Sequence, residues 1–174
     1  MRVEDQVPES QENIQFCTFR LRDQLFGVDI LEVKEIDRII PFTPVHHAPP
    51  EVRGLVNIRG QIFLILDLGA LLDERLEQLA PESRLLIFKD GMGESFGILV
   101  DRIGDVTEVS AKSITRYTEG AVGDRGTPGR MGFFKTGVCQ LKDELMVVLN
   151  GSKILEYVRA KMGGGQRESS VSRT

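Results

Sequence analysis

Arg53-Gly54-Leu55-Val56-Asn57-Ile58-Arg59-Gly60-Gln61-Ile62-Phe63-Leu64-Ile65-Leu66-Asp67-Leu68 is the stretch that decides how this chain is read. After Gln61 it is apolar as far as Leu66, as in a strand covered on both faces. Gly54 and Gly60 admit positive φ, so the backbone can enter and leave a strand sharply at either point. Asn57 can bond its own backbone at such a bend and tolerates the left-handed region. Arg59 stands between Ile58 and Gly60. Its guanidinium must reach solvent or find a carboxylate, because an unpaired buried charge is too costly. Two roles stay open for it: a brace within the fold, or a contact with a partner.

Outward from this stretch, period-2 alternation recurs. Cys17, Phe19 and Leu21 share one face, and Thr18, Arg20 and Arg22 the other. Asp23-Gln24 reads as a turn into a strand over Leu25–Ile30. Residues 31–40 read as a bend and then a strand. Residues 41–51 hold four of the seven prolines and the pair His46-His47, so they form an extended loop. Leu71, Leu72, Leu76 and Leu79 are spaced as a short helix over 68–79, with Asp73, Glu74, Arg75 and Glu77 outward. Strands follow over 84–88, 95–100, 103–109, 133–141 and 145–149. Ser152 reads as the N-cap of a terminal helix that ends at Met162, with Ile154, Leu155 and Val158 inward. About nine short strands interrupted by one helix indicate an all-β chain of small barrels or a sandwich rather than βαβ units. The polar residues 1–13 and the Gly-Gly-Gly-led residues 163–174 read as flexible tails around a body at 14–162.

Composition excludes several classes. The net charge of −4 carries no basic stripe for nucleic acid. Arg125 to Arg130, interleaved with Gly and Pro, reads as a solvated loop. The two cysteines, Cys17 and Cys139, lack metal or redox spacing and read as buried thiols. No apolar run approaches a membrane span, and the polar N-terminus gives a cytoplasmic expectation. Gly93-Glu94-Ser95-Phe96-Gly97 matches G-x-S-x-G. The esterase elbow needs a strand turning into a helix, whereas here a turn precedes Ser95 and a strand follows it. Adjacent His46 and His47 point apart in an extended segment, so neither a metal nor another cofactor is expected. The Gly-rich loop 119–132 lacks the Lys-Ser/Thr ending of a phosphate loop.

The opening stretch resembles the signature of the CheW family, coupling proteins of bacterial chemosensory arrays: Gly-x-x-Asn-Ile/Leu-Arg-Gly, then an apolar strand ending Asp-Leu. Phe26–Ile30 with Val33 and Glu35-Ile36, Gly97–Asp101 with Asp105-Val106, and Gly137–Asn150 are similar to further family blocks in the same order. Phe63-Leu64 departs from it where many relatives carry Pro. The resemblance implies two packed five-stranded SH3-like β-barrel lobes with a short connecting helix and a C-terminal helix. The divide is expected near 70–82, with strands free to cross. It implies a non-enzymatic scaffold that links a CheA-type histidine kinase regulatory domain to a chemoreceptor cytoplasmic tip, held at membrane-anchored arrays through those partners. Carried over position by position, the receptor-binding candidates are Ile30, Val33, Glu35, Gly54, Asn57, Arg59 and Ile103, and the kinase-binding candidates are Leu85 and Gly97. Three alternatives are an adaptor of a related chemosensory system, for example one controlling twitching motility, a small esterase using Ser95, and a nucleic-acid-binding barrel.

Overall fold

The computed structural model describes residues 12–72, 79–90, 94–117 and 133–164. Among the described residues, eleven strands form two sheets. The first sheet has the order β8-β1-β2-β11-β10-β9 and the second β3-β6-β7-β5-β4. The strands are β1 (Asn13–Leu21), β2 (Gln24–Asp29), β3 (Val33–Arg38), β4 (Val52–Ile58), β5 (Gln61–Asp67), β6 (Arg84–Phe88), β7 (Phe96–Val100), β8 (Arg102–Ser110), β9 (Ile114–Arg116), β10 (Lys135–Gln140) and β11 (Leu145–Leu149). In each sheet the two edge strands are consecutive in the chain. The 3-10 turn Ala111–Ser113 joins β8 to β9 and bends the first sheet round on itself. In the second, the connection from β3 to β4 bridges Thr43 to Leu55 and draws the edges together. These are two SH3-like lobes. The first has six strands rather than the expected five, because three-residue β9 continues beyond the 3-10 turn.

The chain changes sheets at Ile30–Glu32, where Asp29 caps a 3-10 turn by accepting from Leu31 N at 2.9 Å. It returns at Asp101, whose N–H donates to Arg20 O at 3.0 Å and whose carboxylate accepts from Arg22 N at 2.7 Å. These crossings correct the expectation of a divide near 70–82. That stretch joins β5 to β6 inside the second sheet, because β6 pairs with β3 and β7 pairs with both β5 and β6.

Three apolar clusters follow from this topology. Phe16, Leu25, Cys139, Met146 and Val148 fill the first lobe. Val56, Ile58, Phe63, Ile65, Leu85, Ile87 and Leu99 fill the second. The largest cluster lies between the sheets and draws on both, with Phe19, Phe26, Leu66, Leu86, Phe88, Ile98 and the helices α1 (Leu68–Leu71) and α2 (Gly151–Gly164). Strands between two cores are covered on both faces, so period-2 reading misplaces part of β1. Thr18 is buried, not outward: its Oγ1 donates to Asp105 O at 2.5 Å. Both cysteines are buried free thiols, and burial pushes each thiol up.

α1 covers only the start of the helix expected over 68–79, and residues 73–78 lie outside the described residues. Asp67 caps it, accepting from Ala70 N at 3.0 Å, while burial pushes the Asp67 carboxyl up. α2 starts before Ser152. Asn150 is its N-cap, with Oδ1 accepting from Lys153 N at 3.0 Å, and Ile154, Leu155 and Val158 turn inward as expected. Asn150→Ala should lower stability in a urea titration by about 1 kcal/mol, the usual value of such a cap, whereas Ser152→Ala should leave it within about 0.5 kcal/mol.

Candidate functional site

The hairpin β4–β5 pairs Ile58 with Gln61, leaving Arg59-Gly60 as its two-residue loop. Arg59 has φ 51° and Gly60 φ 85°. Two positive φ values in a two-residue loop are the mark of a type I′ turn, which suits the twist of the flanking strands and favours Asn-Gly. Here arginine holds the first place. Asn57 closes the turn from the strand, its Oδ1 accepting from Gly60 N at 2.9 Å. The Asn57 side chain thus does what the sequence suggests, while the left-handed residue is Arg59.

From this turn Arg59 reaches across the gap between the edge strands β4 and β3 and pairs with Glu35. Its side chain is 69% exposed and that of Glu35 is 26%. The arginine therefore meets an internal carboxylate and solvent together. A second tie crosses the same seam. Lys34 Nζ donates to Gln61 Oε1 at 2.9 Å and stands 5.3 Å from the Phe63 ring centre. Gln61 Nε2 donates to Ser95 Oγ at 2.6 Å, and Ser95 donates to Asp90 Oδ1 at 2.7 Å. The Ser95 hydroxyl, with the Gln61 amide and the Lys34 ammonium behind it, holds Asp90 below the usual carboxylate range. Ser95 thus gives its proton to a carboxylate, not to an imidazole, and no described contact activates it as a nucleophile.

Glu35, Asn57 and Arg59 come together at the seam. Ile30 and Val33 are half-buried where the chain enters the second sheet, and Val33 packs on the central core. Gly54 lies beneath the surface, at a register shift between Val52 and Gly54. Ile103 is on β8 of the other sheet, opposite Phe19, and lines a separate depression of about 340 Å³ with Pro81, Glu82, Arg84 and Arg102. The two kinase-binding candidates need correction. Leu85 is fully buried inside the second lobe, and Gly97 is buried with Ile87 Cδ1 2.7 Å from where a Cβ would sit. Neither offers a side chain to a partner.

Sequence reading missed Lys34 and Gln61, whose pairing depends on the closure of the seam. It also missed Ile62, which is 53% exposed directly opposite Asn57. The apolar run 62–66 hides a working alternation, with Phe63 and Ile65 inward and Ile62 outward. His46 and His47 have ring centres 5.7 Å apart, and no group of three or more His, Cys, Asp or Glu suited to a metal occurs among the described residues. The Gly-rich loop 119–132 and the turn residues 91–93 lie outside the described residues. No described helix is long and apolar enough to cross a membrane.

A family model described as the CheW-like domain matches residues 15–159. The chain is similar to the chemotaxis protein CheW of Rhizobium meliloti (strain 1021), 36% identical over 58% of this chain and 64% of that protein. The match thus spans just under two thirds of the relative's length. It is similar also to protein FrzA of Myxococcus xanthus, 26% identical over 84% of this chain and 88% of that one. Among solved structures, the scaffolding protein TtCheW from Thermoanaerobacter tengcongensis superposes with a TM-score of 0.69 at 23% identity. The superposition covers 80% of this chain and 90% of that one, and it speaks to the fold alone.

Proposed function

The chain belongs to the CheW-like domain family, and from that premise we propose that it is a non-enzymatic coupling protein linking a chemoreceptor tip to the regulatory domain of a CheA-type histidine kinase. One observation carries the receptor half of this reading: an arginine occupies the left-handed place of the β4–β5 turn. An L-residue there costs about 1–2 kcal/mol in backbone conformation. The ion pair with Glu35, exposed on the arginine side and half-buried on the glutamate side, offsets only part of this. Asparagine would serve the turn itself as well, and the exposed guanidinium is placed for a contact outside the chain. Glu35 aims it, and the fork remains open to an acidic or amide group of a receptor helix. Ile62, Ile30 and Val33 supply apolar surface on the same lobe for the helix side chains. Gly54 acts from below by holding β4 in place, and Ile103, in its separate depression on the first lobe, supplies a second point of contact. The protein's place in the cell follows from its partners, at membrane-anchored receptor arrays.

Arg59→Asn tests this. Asparagine suits the turn while the half-buried Glu35 carboxylate loses its partner, so thermal stability should stay within about 1 kcal/mol. Affinity for a receptor-tip fragment should fall at least about tenfold, or 1.4 kcal/mol. Undiminished receptor binding by the variant would overturn the role of Arg59. Failure of the wild-type chain to bind either the receptor tip or the kinase domain at on the order of tens of micromolar would overturn the coupling function. The likeness to FrzA favours a second reading, an adaptor of a related chemosensory system with another output. Titration against receptor tips of both systems separates the two.

A further inference from the structure

Helix α2 leaves the first sheet at β11 and runs back against the second. Its first half is anchored by apolar burial, with Ile154, Leu155 and Val158 in the central core. The Glu32 carboxylate faces the backbone N–H groups of Gly151 and Ser152 at its start. Beyond Val158 the anchoring changes kind. Ala160, Met162 and Gly163 are exposed, and the helix ends in two glycines, which are poor helix formers. This last turn is held to the second sheet by charge. Arg159 Nε meets Glu94 Oε2 at 3.0 Å, and Lys161 Nζ pairs with Glu51 Oε1 while standing 5.5 Å from the Tyr157 ring centre.

The Glu51 pair is the unequal one. The Glu51 side chain is 2% exposed, and its second oxygen, Oε2, is buried without a hydrogen-bond partner among the described residues. Its main chain is fixed independently, with the carbonyl accepting from Asp67 N at 2.7 Å. The carboxylate therefore cannot turn out to water without the helix moving off it. A buried charge with a single partner depends on that partner far more than an exposed one does.

We propose that the last turn of α2, residues 159–164, is a charge-locked strap: the Lys161 ammonium holds it over Glu51, and loss of that charge lifts it while both lobes stay folded. The opening is local, since the central core holds the helix only as far as Val158. It leaves the Arg59 seam untouched, so the inference stands apart from the receptor reading.

Amide hydrogen exchange on the full chain tests it. In Lys161→Met, amides of residues 159–163 should exchange at least about tenfold faster, while those of 154–158 and of β5 keep their rates. Lys161→Arg should retain protection. Lys161→Met combined with Glu51→Leu should restore most of it, since no carboxylate is then stranded. Unchanged exchange in Lys161→Met would overturn the lock. So would faster exchange throughout the chain in that variant, because the pair would then hold the whole fold. Failure of the double variant to recover protection would show that lost packing, not the stranded charge, frees the turn, and would overturn it as well.

Discussion

Replacing Phe88 with alanine should lower the stability of the protein by about 3–5 kcal/mol, the range for emptying an aromatic site in a packed core. Phe88 ends β6 in the central cluster. It stacks on Phe96 with ring centres 4.6 Å apart and planes 9° from parallel. Gly151, the first residue of α2, lies so close that a Cβ there would stand 2.5 Å from Phe88 Cε1. The ring thus touches the second sheet and the helix that comes from the first. Sheet pairings fix the neighbours on one side, so collapse into the space is limited. A melting temperature lower by on the order of 10 °C is expected for a chain of this size. Phe133→Ala makes the control. That ring is exposed, and its loss should shift stability by no more than about 0.5 kcal/mol. Equal effects from the two substitutions would show that the central cluster does not hold the lobes together.

Gly54→Ala should be nearly as damaging, at about 3 kcal/mol or more. Gly54 has φ 148°, a region closed to side chains, and a Cβ there would meet the Thr43 carbonyl oxygen at 2.6 Å. That oxygen is not free to retreat, because it accepts from Leu55 N while Thr43 N donates to Leu55 O, both at 2.8 Å. These two bonds make the bridge that closes the second lobe. Alanine forces either a strained backbone or a broken bridge, and overpacking of this kind costs about 1–3 kcal/mol before the conformational term is added. Circular dichroism melts would register the loss. In hydrogen exchange, Thr43 and Leu55 should lose protection ahead of β6 and β7. Retention of the bridge amides at wild-type protection would refute the closure role of Gly54.

The strands were legible where one face is wet and the other dry, and ambiguous where both are dry. Thr18 reads as outward because its neighbours Arg20 and Arg22 are polar, yet β1 runs between two cores, and a threonine with one well-placed acceptor is tolerated there. Leu85 and Gly97 came from the resemblance alone, and nothing in the sequence marked them as buried. A residue in a strand between two cores looks no different in sequence from one at a surface groove, until the partner sheet is known. The site was more legible, since Arg59, Asn57 and Gly60 announce a turn with a misplaced charge. Which carboxylate receives Arg59 depends on β3 and β4 meeting as edges of one lobe, and Glu35 lies in a different block of sequence. The cap of α2 was missed by two residues because Asn150 and Ser152 are both good caps, and the register of β11 chooses between them.

The way the chain leaves the first sheet at Ile30–Glu32 and rejoins it at Asp101 bears on how the protein is born. On the ribosome the hairpin β1–β2 emerges before the second lobe and must wait, its outer edges unsatisfied, until the strands that cover it are translated. β8 then covers one edge, and β11 reaches β2 only when Met146–Leu149 is delivered beside Leu25–Val28. Through that interval the nascent chain presents a pair of sticky strands to every neighbour. Arg22 and Asp23 form the hairpin's two-residue turn and Arg20 lies beside it on β1, charges that weigh against pairing with another chain until the lobe closes.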